Sequence, residues 1–359
     1  MLALSLTSAV ASAQLAGAVE GRVVSVGGMP LPYALVTLRP ASDDSLIVLT
    51  DAQGRFRFLP AGRLPALLRA RAIGHRPDSV EVQGGTPVTL TLALLPRTIV
   101  PTIVRGIRCT DEDLKNRDRD PSMAAFLEQA RLNAEQFRQL AIQDDFVVPT
   151  RHTMRFALEG GDSAVRSIDS LSGSALAQPG YRRGRVLFRE GYVPLLRRGA
   201  WYVTVPLAAE MASRRFIAEH CFVYVGDDEI SGRRVRKLLV APAERNRDPD
   251  LEGELYLDAE SFVLLRSSWR LTRLSASRGP VSALSVDVLF NRSRSGLVLP
   301  LQMEVWQAIN RDRLGRKRVF ERTDSYIYGA PAFAREVDEA TWARYQAIVS
   351  GTPAKGRKP

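Results

Sequence analysis

The residues with the most obvious chemical potential are His220 and Cys221, side by side in the stretch AEHCFVYVG. A thiol beside an imidazole can be a nucleophile with its base, or the cysteine can be half of a disulfide. The run that follows alternates like a β-strand, and neighbours on a strand point to opposite faces. His220 and Cys221 therefore cannot share a hydrogen bond as a dyad. The other histidines, His75 and His152, are the remaining candidates to approach the thiol, and nothing in the sequence favours either. The local signatures of cysteine enzymes are absent. The only other cysteine is Cys109, and an exported chain with two cysteines most simply pairs them. A Cys109–Cys221 bond would close a loop that stabilises by roughly 4–5 kcal/mol in the chain-entropy model.

Other chemistries find less support. None of the three histidines is followed by Glu at the third position, and neither His-Glu-x-x-His nor Cys-x-x-Cys occurs, so no zinc site and no other metal centre is expected. SLSGSALA lacks the spacing of a serine nucleophile elbow. No glycine-rich phosphate loop followed by lysine is present, and no cofactor is expected. The acidic cluster Asp227, Asp228 and Glu229 reads as a hairpin turn. A second cluster, Asp248, Asp250, Glu252 and Glu254, could hold a calcium ion or form a carboxylate pair, but Arg245 and Arg247 among them argue for local ion pairs. Asp258 follows a strand and reads as a turn residue. No catalytic residue is assigned, and the chain is expected not to be an enzyme.

The elements that would position these residues are mostly strands. Over 359 residues the chain is 45% hydrophobic and 25% charged, values of a folded protein long enough for two domains. Its net charge is +11, with 50 Lys and Arg residues of which five are Lys. The arginines are scattered rather than gathered on one face with aromatics between them, which speaks against a nucleic-acid partner. Residues 1–13 read as a signal peptide: an apolar run from Leu2 to Val10, then Ala11-Ser12-Ala13. Export is expected, to the periplasm or the outer-membrane or extracellular side of a bacterium, with at most peripheral membrane contact.

From Glu20 to Pro96 short alternating segments and turns predict a seven-stranded β-sandwich, with Asp51 and Gly54 as turn residues. A linker over 97–120 leads to a helix opened by Asp120-Pro121, with Met123, Phe126, Leu127, Ala130, Ala134, Phe137 and Ala141 on one face. Strands then follow one another, interrupted by a short helical segment, LAAEMASRRFIAE. The fold class is mainly β: the sandwich, then a large curled antiparallel sheet over 121–349 with one or two covering helices. A final helix spans roughly Asp338 to Val349, before a disordered basic tail, 350–359.

The run GRVVSVGGMPLPYALVTLRP, continued by TDAQGRFRFLPAGRLPALLRARAIGH, resembles the carboxypeptidase regulatory-like domain, a transthyretin-like sandwich. The resemblance rests on Gly21, Gly28, Pro30, Leu31, Thr50, Asp51, Gly54, Phe56, Pro60, Gly62 and Gly74, and departs at His75, where tyrosine is usual. It implies a non-catalytic accessory module over 18–96. The second region is similar in architecture to the lipoprotein-carrier and lipoprotein-receptor group of the bacterial envelope, an open antiparallel barrel with helices as a lid. That resemblance is carried by GELYLDAESFVLLRSSWRL.

Alternation places Leu255 and Leu257, then Leu265, Trp269 and Leu271, then Val286, Val288 and Phe290 on one face of the sheet. These are the candidate ligand-binding residues for a lipid, an acyl chain or a hydrophobic peptide, or the lipid-bearing part of an envelope protein partner. The same residues would serve equally as core beneath the helix at 121–142. An alternative reading makes the N-terminal sandwich a protein- or carbohydrate-binding scaffold. Against carbohydrate stands its aromatic content, limited to Tyr33, Phe56 and Phe58.

Overall fold

The computed structural model describes residues 18–40, 45–59, 64–83, 86–95, 109–116, 121–143, 145–157, 163–172, 187–193, 198–206, 208–211, 213–245, 248–273, 281–293, 298–313 and 316–349. Residues 1–13, read above as a signal peptide, the helix-opening Asp120 and the C-terminal tail lie outside these residues. The chain divides into two compact units, 1–95 and 96–359.

The first unit contains β1 (Val19–Ser25), β2 (Leu35–Pro40), β3 (Leu46–Leu49), β4 (Arg55–Phe58), β5 (Ala66–Arg71), β6 (Asp78–Val82) and β7 (Val88–Leu92). They form two sheets, β4-β1-β7 and β3-β2-β5-β6. Alternation on the strands turns Val23, Val36, Leu38, Phe56, Phe58, Leu68 and Leu90 into one shared core. β1 and β7 run parallel, and a Cβ on Gly21 would lie 2.0 Å from the Val88 carbonyl oxygen. Only glycine permits that approach. The turn after Thr50 is built as its residue types require. Asp51 Oδ1 accepts from the Gln53 and Arg55 amides at 2.9 and 2.8 Å. Gly54 sits at φ 73° with Val23 O where a side chain would go.

The second unit opens with α1 (Asp111–Asn116) and α2 (Pro121–Gln143). Strands β8 (Phe146–Ala157), β9 (Ser163–Ser172), β10 (Leu187–Val193) and β11 (Arg198–Val203) follow, then α3 (Ala208–Met211) and α4 (Arg214–Glu219). Next come β12 (His220–Ile230), β13 (Arg233–Pro242), β14 (Asp250–Asp258), β15 (Leu264–Thr272), β16 (Val281–Arg292), β17 (Val298–Arg313), β18 (Arg316–Tyr328), β19 (Ala332–Phe333) and α5 (Glu339–Val349). Ten strands form one antiparallel sheet in the order β12-β13-β14-β15-β16-β17-β18-β8-β19, with β9 also paired to β8; β10 and β11 pair separately. Register shifts interrupt the seams β12–β13, β14–β15 and β16–β17. Such bulges bend strands and increase twist, so the wide sheet curls, without closing into a barrel.

Most turns follow local chemistry. Asp258 Oδ1 accepts from the amides of Glu260 and Ser261 and from the Ser261 hydroxyl, at 3.1, 2.8 and 2.8 Å. The β12–β13 turn departs from expectation. It is made by Ser231 and Gly232, both at positive φ, the pair a two-residue hairpin needs. Asp227, Asp228 and Glu229 belong instead to the end of β12.

On α2 the stripe Met123, Phe126, Leu127 and Phe137 is buried, and Leu132 and Leu140 join it. Ala130 and Ala134 are half-buried, and the side chain of Ala141 lies outside the described residues. α4 is capped by Ser213, whose Oγ accepts from the Phe216 amide. α5 is capped by Asp338, which accepts from the amide and hydroxyl of Thr341.

Candidate functional site

Strand register converts the sequence into rows of side chains on the inner face of the sheet. One row pairs Phe222 with Val240, Gly253, Trp269, Val286 and Val305; the next runs through Tyr224, Leu238, Leu255, Ser267, Val288 and Met303. Leu255, Leu257, Trp269, Leu271, Val286, Val288 and Phe290 are all buried. Leu265 is the exception: it is skipped where Leu257 pairs with Leu264 and Tyr256 with Arg266. At this bulge Leu264 is buried and Leu265 remains half-exposed, because one extra residue breaks the two-residue period.

Trp269 is covered by Phe216 of α4, ring against ring edge-on at 6.3 Å, and Phe216 also meets Phe222. The cover over this residue is thus the short α4. Phe126 of α2 packs instead on Phe262, at the β14–β15 turn, and Asn133 donates to the Phe262 carbonyl. Two polar atoms on the apolar rows, Trp269 Nε1 and Ser267 Oγ, are buried and make no hydrogen bond among the described residues.

Continuing across the sheet, the same rows change character on β18 and β8. Val305 faces Asp324, Met303 faces Tyr326, and Gln307 faces Arg322; Tyr326 in turn faces His152 of β8. Arg322 and Asp324 are almost wholly buried, and they pair through Nη2–Oδ1 at 2.8 Å and Nε–Oδ2 at 2.7 Å. His152 Nε2 lies 2.8 Å from Asp324 Oδ1 and stacks on Tyr326 at 4.1 Å; Tyr326 stacks in turn on Tyr328 at 6.5 Å. A strip of Arg322, Asp324, Tyr326 and Tyr328 thus lies along one face of β18. Sequence reasoning missed it. The usable signal was their even spacing, hidden because polar residues are normally assigned to the solvent side.

Tyr328 stands on the wall of a cavity of about 610 Å³ at the strand ends, with Leu299, Pro300, Leu301, Pro331 and Phe333. Burial pushes its phenol up to about 12. Tyr224, near the opposite edge, is also pushed up to about 12, by burial and by its hydrogen bond to Asp227.

The outer face of β13–β16 is polar. Lys237 pairs with Glu254, Arg270 with Glu252, and Arg266 with Asp287. Burial acts to raise the Glu254 carboxyl, but the Tyr256 hydroxyl and Lys237 outweigh it and hold it below the usual range. Two of the carboxylates considered for calcium are thereby occupied in ion pairs, while Asp250 is buried 3.7 Å from His220 Nε2. Arg245 pairs with Asp111, and Arg247 lies outside the described residues. Among the described residues no three His, Cys, Asp or Glu side chains cluster as metal ligands.

Cys109 and Cys221 form a disulfide, buried with Ala241 and Ala243. The Glu244 amide donates to the Cys109 carbonyl beside it, so the segment before α1 is fastened to β12 and β13. His220 turns the other way: Nδ1 lies 2.9 Å from the Phe216 carbonyl, and its ring stacks on Phe216 at 3.9 Å. On the sandwich, Phe56 and Phe58 are core residues, while Tyr33 is partly buried.

Residues 18–95 match the carboxypeptidase regulatory-like domain, the module expected from the Gly21, Thr50-Asp51 and Gly54 pattern. No curated protein matches the chain. Among solved structures the chain is similar to a putative outer membrane lipoprotein-sorting protein domain from Vibrio parahaemolyticus, at 12% identity and TM-score 0.28, over 59% of this chain and 97% of that one. It is also similar to a DUF1329 family protein from Desulfovibrio piger, at 10% identity and TM-score 0.30, over 62% and 98%. A third likeness is to the MucA/MucB complex of Pseudomonas aeruginosa, at 9% identity and TM-score 0.17, over 60% and 96%.

Proposed function

We propose that this chain is an exported, non-catalytic protein of the bacterial cell envelope that binds a hydrophobic ligand, or the lipid-bearing part of a partner, against the curled sheet. One observation carries the reading. The continuous apolar face over Leu255, Trp269, Val286 and Val288 is roofed at Trp269 by a six-residue helix, α4, rather than by a second sheet. A helix that short has little stability of its own, so displacing it exposes the face at modest cost. The unpartnered Trp269 Nε1 and Ser267 Oγ offer polar contacts once it moves. Export is supported by the apolar N-terminal run and by the disulfide.

The His152–Asp324 contact has the geometry of the orienting half of an acid–base pair. Asp324 is already committed to Arg322, and no Ser, Thr or Cys side chain bonds His152 among the described residues. We read the group as a buried polar anchor of the sheet.

The test is native mass spectrometry of protein exported through a periplasm and purified without detergent, followed by organic extraction. A stoichiometric lipid or acylated peptide supports the reading. Protein that is empty, and that stays empty when incubated with lipid extracts, overturns it in favour of a partner-binding scaffold.

A further inference from the structure

The strand-end cavity of the second unit carries a polar group, the Tyr328 hydroxyl, on a partly apolar wall. Tyr328 is 8% exposed, yet its hydroxyl makes no hydrogen bond among the described residues, and its ring contacts run to Tyr326. Its oxygen is not among the fully buried, unbonded polar atoms, so it is accessible on the cavity wall and can bond a molecule that enters. At a phenol pKa of about 12 the group stays protonated at neutral pH and is a donor waiting for an acceptor. Around it stand Leu299, Pro300, Leu301 and Phe333, and the volume of about 610 Å³ lies in the usual range for small-ligand sites. The rim carries both Arg292 and Glu336, so net charge does not select an anion.

We infer that this cavity holds an acyl chain whose carbonyl oxygen accepts the hydrogen bond of Tyr328 Oη. The inference rests on the reading above, that the second unit binds an apolar ligand, and it puts the polar end of that ligand at a definite atom. An acyl carbonyl occurs in esters and in free fatty acids alike; the apolar wall takes the chain in either case.

Three eight-carbon probes separate the possibilities by calorimetric titration of the full chain: methyl octanoate, octanoate and octyltrimethylammonium, which has the chain but no acceptor. Tyr328→Phe keeps the ring and deletes the donor. It is expected to weaken methyl octanoate about tenfold and to leave octyltrimethylammonium unchanged. Octanoate weakened by Tyr328→Phe as much as the ester, or more, marks a fatty acid as an equal source of the carbonyl; octanoate that binds poorly marks an ester. Leu301 is 46% exposed, so Leu301→Glu blocks the wall with little effect on folding and is expected to weaken all three. Equal affinity of wild type and Tyr328→Phe for the acyl probes overturns the inference while leaving the broader reading intact. If none of the three chains binds wild type, both fail.

Discussion

Arg322 and Asp324 stand two residues apart on one strand, point to the same face, and form an ion pair with one hydrogen bond, Nη2 to Oδ1, at 0% and 2% side-chain exposure. Removing one partner strands the other charge in the interior. Arg322→Met is therefore expected to destabilise the second unit by about 3–5 kcal/mol, read from urea unfolding. The double exchange Arg322→Met with Asp324→Leu should recover most of the loss, because no lone charge remains. Equal destabilisation by single and double variants would show that the pair contributes more than mutual neutralisation.

The Cys109–Cys221 bond spans a sequence separation of 112 and ties the segment before α1 to the edge strand. Cys109→Ser or Cys221→Ser should lower stability by about 2–5 kcal/mol. Wild type in reductant should melt with the variants. A melting temperature that ignores both changes would show that the contacts around Ala241 and Ala243 hold this edge without the bond.

Asp258 links stability to acidity. Burial opposes its ionisation, but the Ser261 amide and hydroxyl and the Glu260 amide outweigh it, and its carboxyl lies below the usual range. With the folded value below the unfolded one of about 3.9, its stabilisation is complete above that pH and is lost as pH falls through the folded value. The stability gap between wild type and Asp258→Ala should be constant from neutrality down to about pH 5 and narrow below about 4. A gap that widens in acid would contradict the assignment.

Phe216 closes the inner face over Trp269 and stacks on His220. Phe216→Ala should cost about 3–5 kcal/mol if the side chain is core alone. If α4 is the movable cover, the same variant should also bind an apolar reporter dye more readily at neutral pH. Unchanged dye binding in a folded variant would count against α4 as that cover.

In the sandwich, Gly21 and Gly54 each occupy a place where a Cβ would strike a backbone carbonyl. Gly21→Ala is expected to destabilise the first unit by about 1–3 kcal/mol, visible in amide exchange of β1 and β7. Protection unchanged on those strands would show that their pairing relaxes around the methyl group.

The inward set on β14–β16 was legible because alternation survives wherever the register is unbroken. Leu265 failed for a local reason, the bulge opposite Leu257, which no residue type announces. The strip on β18 failed for a general one. In RTDSYIY the polar and aromatic residues take the inner positions, and Ile327 faces out at 54% exposure, the reverse of the usual pattern. Arg322 and Asp324 satisfy each other there, so their burial is tolerated only as a pair, and pairing is a property of the folded strand.

Local physics, readable from residue types, determined the sandwich, its Thr50-Asp51-Gly54 turn, the strand-rich second unit and the apolar face around Trp269, since each follows from steric freedom, capping and two-residue periodicity. Tertiary structure decided which helix covers that face, where the bulge displaces Leu265, and which polar groups are buried together at His152, Arg322 and Asp324. It also placed Tyr328 on the wall of a cavity, where its hydroxyl makes no hydrogen bond among the described residues. Those outcomes depend on contacts between residues far apart in the chain, and their free energies exist only once the strands have chosen their register.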